Sequence, residues 1–288
     1  MTNGYATPVL RWYAAHARDL PWRRDGASAW SVLVSEIMLQ QTPVARVLPA
    51  YAAWLARWPT PRSLAAATPG DALRQWGRLG YPRRALRLHA TARIVTDDHA
   101  GQVPASVQAL RGLPGVGSYT AAAVASFAFG QRHAVLDTNV RRVLARLVRG
   151  APLPPPTASA AEVRLAESLL PAAPGHAARW SVAVMELGAL VCTAARPDCA
   201  SCPVADRCAW RRAGSPAGPA RPVSGRYLGS DRECRGRLLQ VLREAAGPVP
   251  AARLDAAWAD GEQRARALSA LIAEGLAAVT EHHMFSLP

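Results

Sequence analysis

Two carboxylates, four thiols and a glycine-rich turn are the groups of this chain best suited to chemistry. Glu36 lies in Ser35-Glu36-Ile37-Met38-Leu39-Gln40-Gln41-Thr42, just beside the apolar stripe of a helix. A carboxyl held there is partly desolvated and its pKa raised, which suits a general acid. Asp137 opens another helix, whose terminus favours the ionised carboxylate. Two carboxylates pushed apart in this way are what O-glycosidases use to protonate a leaving group and stabilise an oxocarbenium-like sugar. Taken singly, a glutamate on a helix flank is ordinarily solvated or locally paired, and an aspartate before a helix is ordinarily a cap. Leu113–Thr120 reads Leu-Pro-Gly-Val-Gly-Ser-Tyr-Thr. Its glycines suit a tight hairpin between two helices, with backbone N–H groups turned toward an anion.

Cys192, Cys199, Cys202 and Cys208 follow the pattern C-x6-C-x2-C-x5-C, four of the chain's five cysteines. In a reducing compartment such crowding implies a metal rather than disulfides. All-thiolate ligation fits either structural zinc or an iron–sulfur cluster, although zinc sites usually pair two C-x2-C knuckles and only one occurs here. Arg196, Arg207, Arg211 and Arg212 surround the loop and are suited to phosphates. Cys234 lies outside the pattern and reads as an ordinary cysteine.

The net charge is +14 and the pI about 10.9, as in nucleic-acid binders, although a solvated basic surface has the same composition. The basic side chains comprise 34 arginines and no lysine. No side-chain amine is therefore present to form a Schiff base, which leaves only the terminal amino group. Hydrophobic residues make up 50% and the mean hydropathy is zero, values expected of a globular protein of one large or two ordinary domains. The longest apolar stretches, Ala121–Phe129 and Leu187–Cys192, are too short to span a bilayer. No secretion signal is read at the N-terminus, so a cytoplasmic protein is expected.

The elements that must position these groups are helical. Trp30, Leu33, Val34, Ile37 and Met38 follow the spacing of one helix face over 30–41, with Pro43 ending the run. Val140, Val143, Leu144, Leu147 and Val148 do the same, with Asp137 as N-cap and Gly150 as the stop. Further helices are predicted at 48–58, 71–79, 83–97 and 106–112. Residues 151–161 read as a Pro-rich loop, and 213–225 as a linker. Beyond it, helices near 231–246, 251–259 and 262–275 precede an extended tail at 277–287. That order suits a small winged-helix-like module, or a helical appendage packed on the main body.

Ser35–Thr42, Gly77–Tyr81, Leu113–Thr120 and Asp137–Val143 resemble, in order, motifs of the adenine DNA glycosylases (the MutY family) of the helix-hairpin-helix, or endonuclease III, superfamily. The resemblance covers about residues 18 to 210. It implies an all-α, two-lobed helix-hairpin-helix DNA glycosylase fold with an iron–sulfur cluster loop. On this reading, residues 21–133 form a six-helix domain with the hairpin, 1–20 and 134–212 a cluster domain, and 226–288 the C-terminal module. The 6-2-5 spacing is similar to the superfamily's [4Fe-4S] loop.

The same resemblance implies that Glu36 protonates N7 of an extruded adenine and that Asp137 serves as nucleophile or electrostatic partner at the sugar C1′. Tyr119 would hydrogen-bond within that site and Asn139 would orient the acid groups. Tyr119 also stands where members that cut the backbone carry a lysine. Arg18, Trp22 and Arg23, with Leu39, resemble the adenine pocket, in which an extruded base is held by stacking. Trp22 without its motif could as well be a core residue. Gln41, Thr42, Leu79 and Tyr81 resemble the residues around the opposite base, with Tyr81 wedged into the stack. The amides of Gly115 and Gly117 would bind a phosphate. The implied partner is double-stranded DNA carrying A:8-oxoguanine or A:G mispairs, and the implied enzyme a monomer working at the bacterial nucleoid.

Two departures stand out. Thr138 replaces a glycine common in the family, and is read as strengthening the helix start. The 63 residues from Arg226 are too few for the Nudix-like domain that many members carry, so a preference for 8-oxoguanine rests on Gln41, Thr42, Leu79 and Tyr81. The competing readings are an endonuclease III-like lyase, a G:T mismatch glycosylase and a non-catalytic DNA-binding protein. Glu36 in its motif argues against the first two, and both carboxylates argue against the third.

Overall fold

The computed structural model describes residues 4–219 and 227–288. The expected segments that reach into 1–3 and 220–226, including most of the second half of the linker, lie outside the described residues. Fifteen helices account for nearly all the regular structure among the described residues, with one two-stranded hairpin near the C-terminus. No helix among them is long and apolar enough to cross a membrane. The chain divides into two compact units, one of residues 4–33, Ala105–Gly112 and 116–219, the other of Val34–Pro104, Leu113–Gly115 and 227–288.

The first unit holds α1 (Ala6–His16), α7 (Val107–Arg111), α8 (Ser118–Phe129), α9 (Thr138–Leu147), α10 (Ala160–Leu169), α11 (Pro174–Leu190) and the short α12 (Ala209–Arg212), and α1 and α9 to α12 enclose an apolar core. Val140, Val143, Leu144 and Leu147 line one side of α9 and meet Trp180, Val184 and Leu187 of α11. The cysteine loop packs on the same core, with Cys208 and Trp210 inside it. Asp137 caps α9, its side chain accepting from the Val140 N–H, as the helix pattern predicts.

In the second unit, α3 (Val44–Arg57), α4 (Pro61–Ala65), α5 (Pro69–Trp76) and α6 (Arg83–Asp98) follow α2 (Ala29–Leu39). Thr60 and Thr68 each close a capping box just before a proline, which fixes the starts of α4 and α5. Trp54 stands edge-on to Trp58 and Trp76, with ring centroids at 4.7 and 5.6 Å, and anchors the core.

The C-terminal residues belong to this unit. α13 (Asp231–Glu244), α14 (Ala251–Asp255) and α15 (Gly261–Ala273) are followed by β1 (Ala278–Val279), paired antiparallel with β2 (Phe285–Ser286). Val249 bridges to Phe285 from between α13 and α14. Three helices and a terminal strand pair follow one another in the order the sequence suggests. α14 ends at Asp255 rather than continuing to 259. The chain turns through Trp258, whose indole donates to Gln263, and Asp260 caps α15.

Candidate active site

Asp137 is held from two sides. One oxygen accepts from the Val140 N–H at 2.6 Å and the other from Asn139 Nδ2 at 2.8 Å. Asn139 in turn accepts from Arg142 Nη2 at 2.6 Å through Oδ1. This fixes which end of the amide faces the aspartate. Arg142 also donates to the Gly188 carbonyl and to the Cys192 carbonyl, both at 2.7 Å. Asn139, Arg142 and Arg146 fall at i, i+3 and i+7 of α9, so one helix face runs from Asp137 to the cysteine loop. Gly188 permits that packing, because a Cβ there would stand 2.7 Å from the Asn139 Cβ and 3.0 Å from its carbonyl oxygen.

Opposing influences act on the Asp137 carboxyl. Burial raises its pKa, and the Val140 and Asn139 hydrogen bonds and the Arg142 charge oppose the shift without cancelling it. The helix terminus favours the ionised form, while burial sets the upward direction of the shift.

Arg18 and Arg23 converge on a residue that sequence reasoning missed. Glu186, fully buried in α11, accepts from Arg18 Nε and Nη2 and from Arg23 Nη1, each at 2.7 Å. Despite burial, the two guanidiniums pull its pKa down to about 2. Its stabilising contribution is therefore complete above the ordinary glutamate range and fades only as pH falls toward about 2. Trp22 is buried in the single turn between these arginines.

The cysteine loop closes beside Arg146. Its Nη1 lies 3.4 Å from Cys192 Sγ and donates to the Thr193 carbonyl, and its guanidinium sits 4.8 Å from the Trp210 ring centroid. Burial raises the Cys199 thiol and pushes Cys202 up to about 11. No three His, Cys, Asp or Glu side chains among the described residues stand close enough to hold a single metal ion.

In the second unit, Glu36 is buried at 5% exposure on α2, and Leu39 is half-buried at its end. Gln40 donates to the Gly115 carbonyl at 3.2 Å. Gly115 has φ +81° with the Arg87 side chain close behind it, a position only glycine takes easily. Gly117 is the N-cap of α8, whose start carries no side-chain cap, and Tyr119 is half-buried in the first turn. Thr42 and Leu79 are buried and meet through the Thr42 hydroxyl and the Leu79 carbonyl at 3.3 Å, whereas Gln41 and Tyr81 are exposed. Thr138 is exposed at the first position of α9.

A family model for the HhH-GPD superfamily of base excision DNA repair proteins matches residues 34–168. The adenine DNA glycosylase of Mycobacterium tuberculosis is 53% identical over 290 residues, covering 98% of this chain and 93% of the relative. The chain belongs to the adenine DNA glycosylase family. The human adenine DNA glycosylase is 44% identical over 71% of this chain and 39% of its own length. Among solved structures, a thermostable thymine-DNA glycosylase superposes with a TM-score of 0.65 at 27% identity, covering 73% of this chain and 95% of that one. An endonuclease III–DNA complex shares the fold at a TM-score of 0.61.

Against this family fold, the buried charges that local sequence did not reveal become readable. Glu186 interrupts the apolar run of α11, and Arg142 and Arg84 sit among core residues. For Glu186, a charge inside an otherwise apolar stretch was the available signal; Arg84 and Arg142 stand beside other arginines and carried none.

Proposed function

We propose that this chain is a monofunctional adenine DNA glycosylase that hydrolyses the N-glycosidic bond of adenine mispaired with 8-oxoguanine or guanine in duplex DNA. The observation that carries the reading is the clamped aspartate. Asp137 is fixed by Val140 and Asn139, with Arg142 behind the amide, so its carboxylate cannot turn away from a developing cation.

In the proposed reaction Glu36 gives a proton to N7, the C1′–N9 bond breaks, and adenine leaves neutral. Asp137 stabilises the positive sugar, and water adds at C1′ with loss of a proton. Tyr119 hydrogen-bonds in the same chemistry, and Asn139 orients the carboxylate. Arg18, Trp22, Arg23 and Leu39 receive the extruded adenine, with Glu186 holding both guanidiniums in place. Gln41, Thr42, Leu79 and Tyr81 meet the opposite base, and the Gly115 and Gly117 amides bind a phosphate. Because the chain contains no lysine, the reaction ends at the abasic site and the backbone is left uncut.

The same reading assigns a [4Fe-4S] cluster to Cys192, Cys199, Cys202 and Cys208. A single zinc ion needs its sulfurs converging at about 2.3 Å from one point, whereas each thiolate of a cubane takes its own iron. Cys202 lies within electrostatic reach of Cys192, Cys199 and Cys208, and only one C-x2-C occurs where structural zinc sites usually pair two, which supports the cluster.

The test is single-turnover excision from duplexes with A, T or U opposite G or 8-oxoguanine. Adenine alone is expected to be released, and Asp137→Asn is expected to abolish release while A:8-oxoguanine duplex still binds. Release of T or U, or wild-type turnover by the variant, would sink the assignment.

A further inference from the structure

Gln41 and Tyr81, two residues the proposed function sets against the base opposite adenine, have left-handed backbone, with φ of 56° and 48°. Residues with side chains rarely adopt this conformation unless their surroundings impose it. The carbonyl immediately before each is bound by the same side chain. Arg84, on α6 and 5% exposed, donates through Nη1 to the Gln40 carbonyl and through Nη2 to the Gly80 carbonyl at 3.0 Å.

The same guanidinium also holds the Ile37 carbonyl at 3.0 Å, the Met38 carbonyl at 2.8 Å and the Thr42 hydroxyl at 2.8 Å. Its carbon lies 5.2 Å from the Trp76 ring centroid and 5.3 Å from that of Tyr81. The loop before Tyr81 is secured at successive carbonyls: Arg46 takes that of Arg78, Thr42 that of Leu79, and Trp76 Nε1 shares that of Gly80.

The arginine bridges two loops as well as satisfying the end of α2. Among the described residues it forms no ion pair with a carboxylate, its Nε is buried without a hydrogen-bond partner, and burial lowers its pKa to about 10. The cation is carried by carbonyl dipoles at the C-terminal end of α2. An apolar side chain would avoid the desolvation penalty but leave these carbonyls without their donor. What it could not do is bridge two loops with a planar fork, and an ammonium lacks that geometry too.

We propose that Arg84 is a positioning residue for recognition of the base opposite the target. It sets the Gln41–Thr42 segment and the Tyr81 wedge in one register, so that both engage the same base pair. The inference rests on the adenine glycosylase reading for what that base pair is.

The experiment measures Kd for an A:8-oxoguanine duplex and for a fully paired duplex in the Asp137→Asn background, where substrate is not consumed. 2-Aminopurine fluorescence beside the mispair reports unstacking. Arg84→Lys is expected to lower the preference for the mispaired duplex about tenfold, with paired-duplex affinity unchanged and the unstacking signal reduced. In a Tyr81→Ala background the same substitution should have less than half that effect, because both act through one wedge. Equal weakening on both duplexes, an unchanged preference or full additivity with Tyr81→Ala overturns the proposal. If Arg84→Lys melts early, Trp76→Phe removes one donor to the Gly80 carbonyl and keeps the ring. It should shift the preference in the same direction, and no shift overturns the proposal equally. Wild-type enzyme that binds the mispair selectively but releases no adenine would remove the glycosylase reading and leave the Arg84 role standing.

Discussion

Asp137 shows how far a single residue can be read and where reading stops. Its capping role follows from type and position, because an aspartate before an apolar-periodic run satisfies the first turn of a helix. Its burial does not, since that depends on packing which the capping pattern does not encode. That burial raises the pKa, and the proposed chemistry needs the ionised form. Excision should therefore fall as pH drops through this raised value, placing the acidic limb of the rate profile above the ordinary carboxylate range. Asn139→Ala removes one of the bonds opposing the shift, so the limb should move to still higher pH. Single-turnover rates across about pH 4 to 9 measure both, and a limb that moves to lower pH in the variant contradicts the account. Glu186 shows the opposite limit: nothing near it in the chain announces the two arginines that hold it, from some 160 positions away.

At the scale of elements, periodicity and punctuation made α2, α9, α6 and the three C-terminal helices legible to within a few residues. α14 falls short of its predicted end because Ala256 and Ala257 favour a helix that the following turn, pinned by Trp258 and Asp260, does not permit. Close approach between helices left no such signature. α9 meets α11 at Gly188, a glycine in the last turn of α11 that local propensity counts only as a weak point. The contact with Asn139 gives it a purpose. Gly188→Ala must displace Asn139 and with it one of the two anchors of Asp137. The expected cost is about 1–3 kcal/mol in stability, together with a lower excision rate on every substrate. Denaturant titration and single-turnover assays check this, and a stabilised, fully active variant would show that α9 and α11 tolerate separation.

For the whole molecule, the cysteine loop forms part of the core rather than an appendage, with Cys208 and Trp210 buried against α9. Anaerobically purified protein should contain about four irons per chain with matching sulfide, and their removal should lower the melting temperature. Stoichiometric zinc would refute the cluster. Composition made nucleic acid a natural partner, but it did not show where the charge lies. Residues 227–288 carry seven arginines against eight carboxylates, so the entire positive excess belongs to the remainder. The C-terminal module is instead fastened to α5: Arg243 donates to the Leu73 carbonyl at 2.9 Å, and the Pro288 carbonyl lies so close to Gly70 that a Cβ there would stand 2.7 Å from it. α5 leads directly into the loop before Tyr81. A chimera that exchanged this module for another domain would strip one flank from the helix that carries the wedge. The module and α5 therefore form a matched pair, to be exchanged together or not at all.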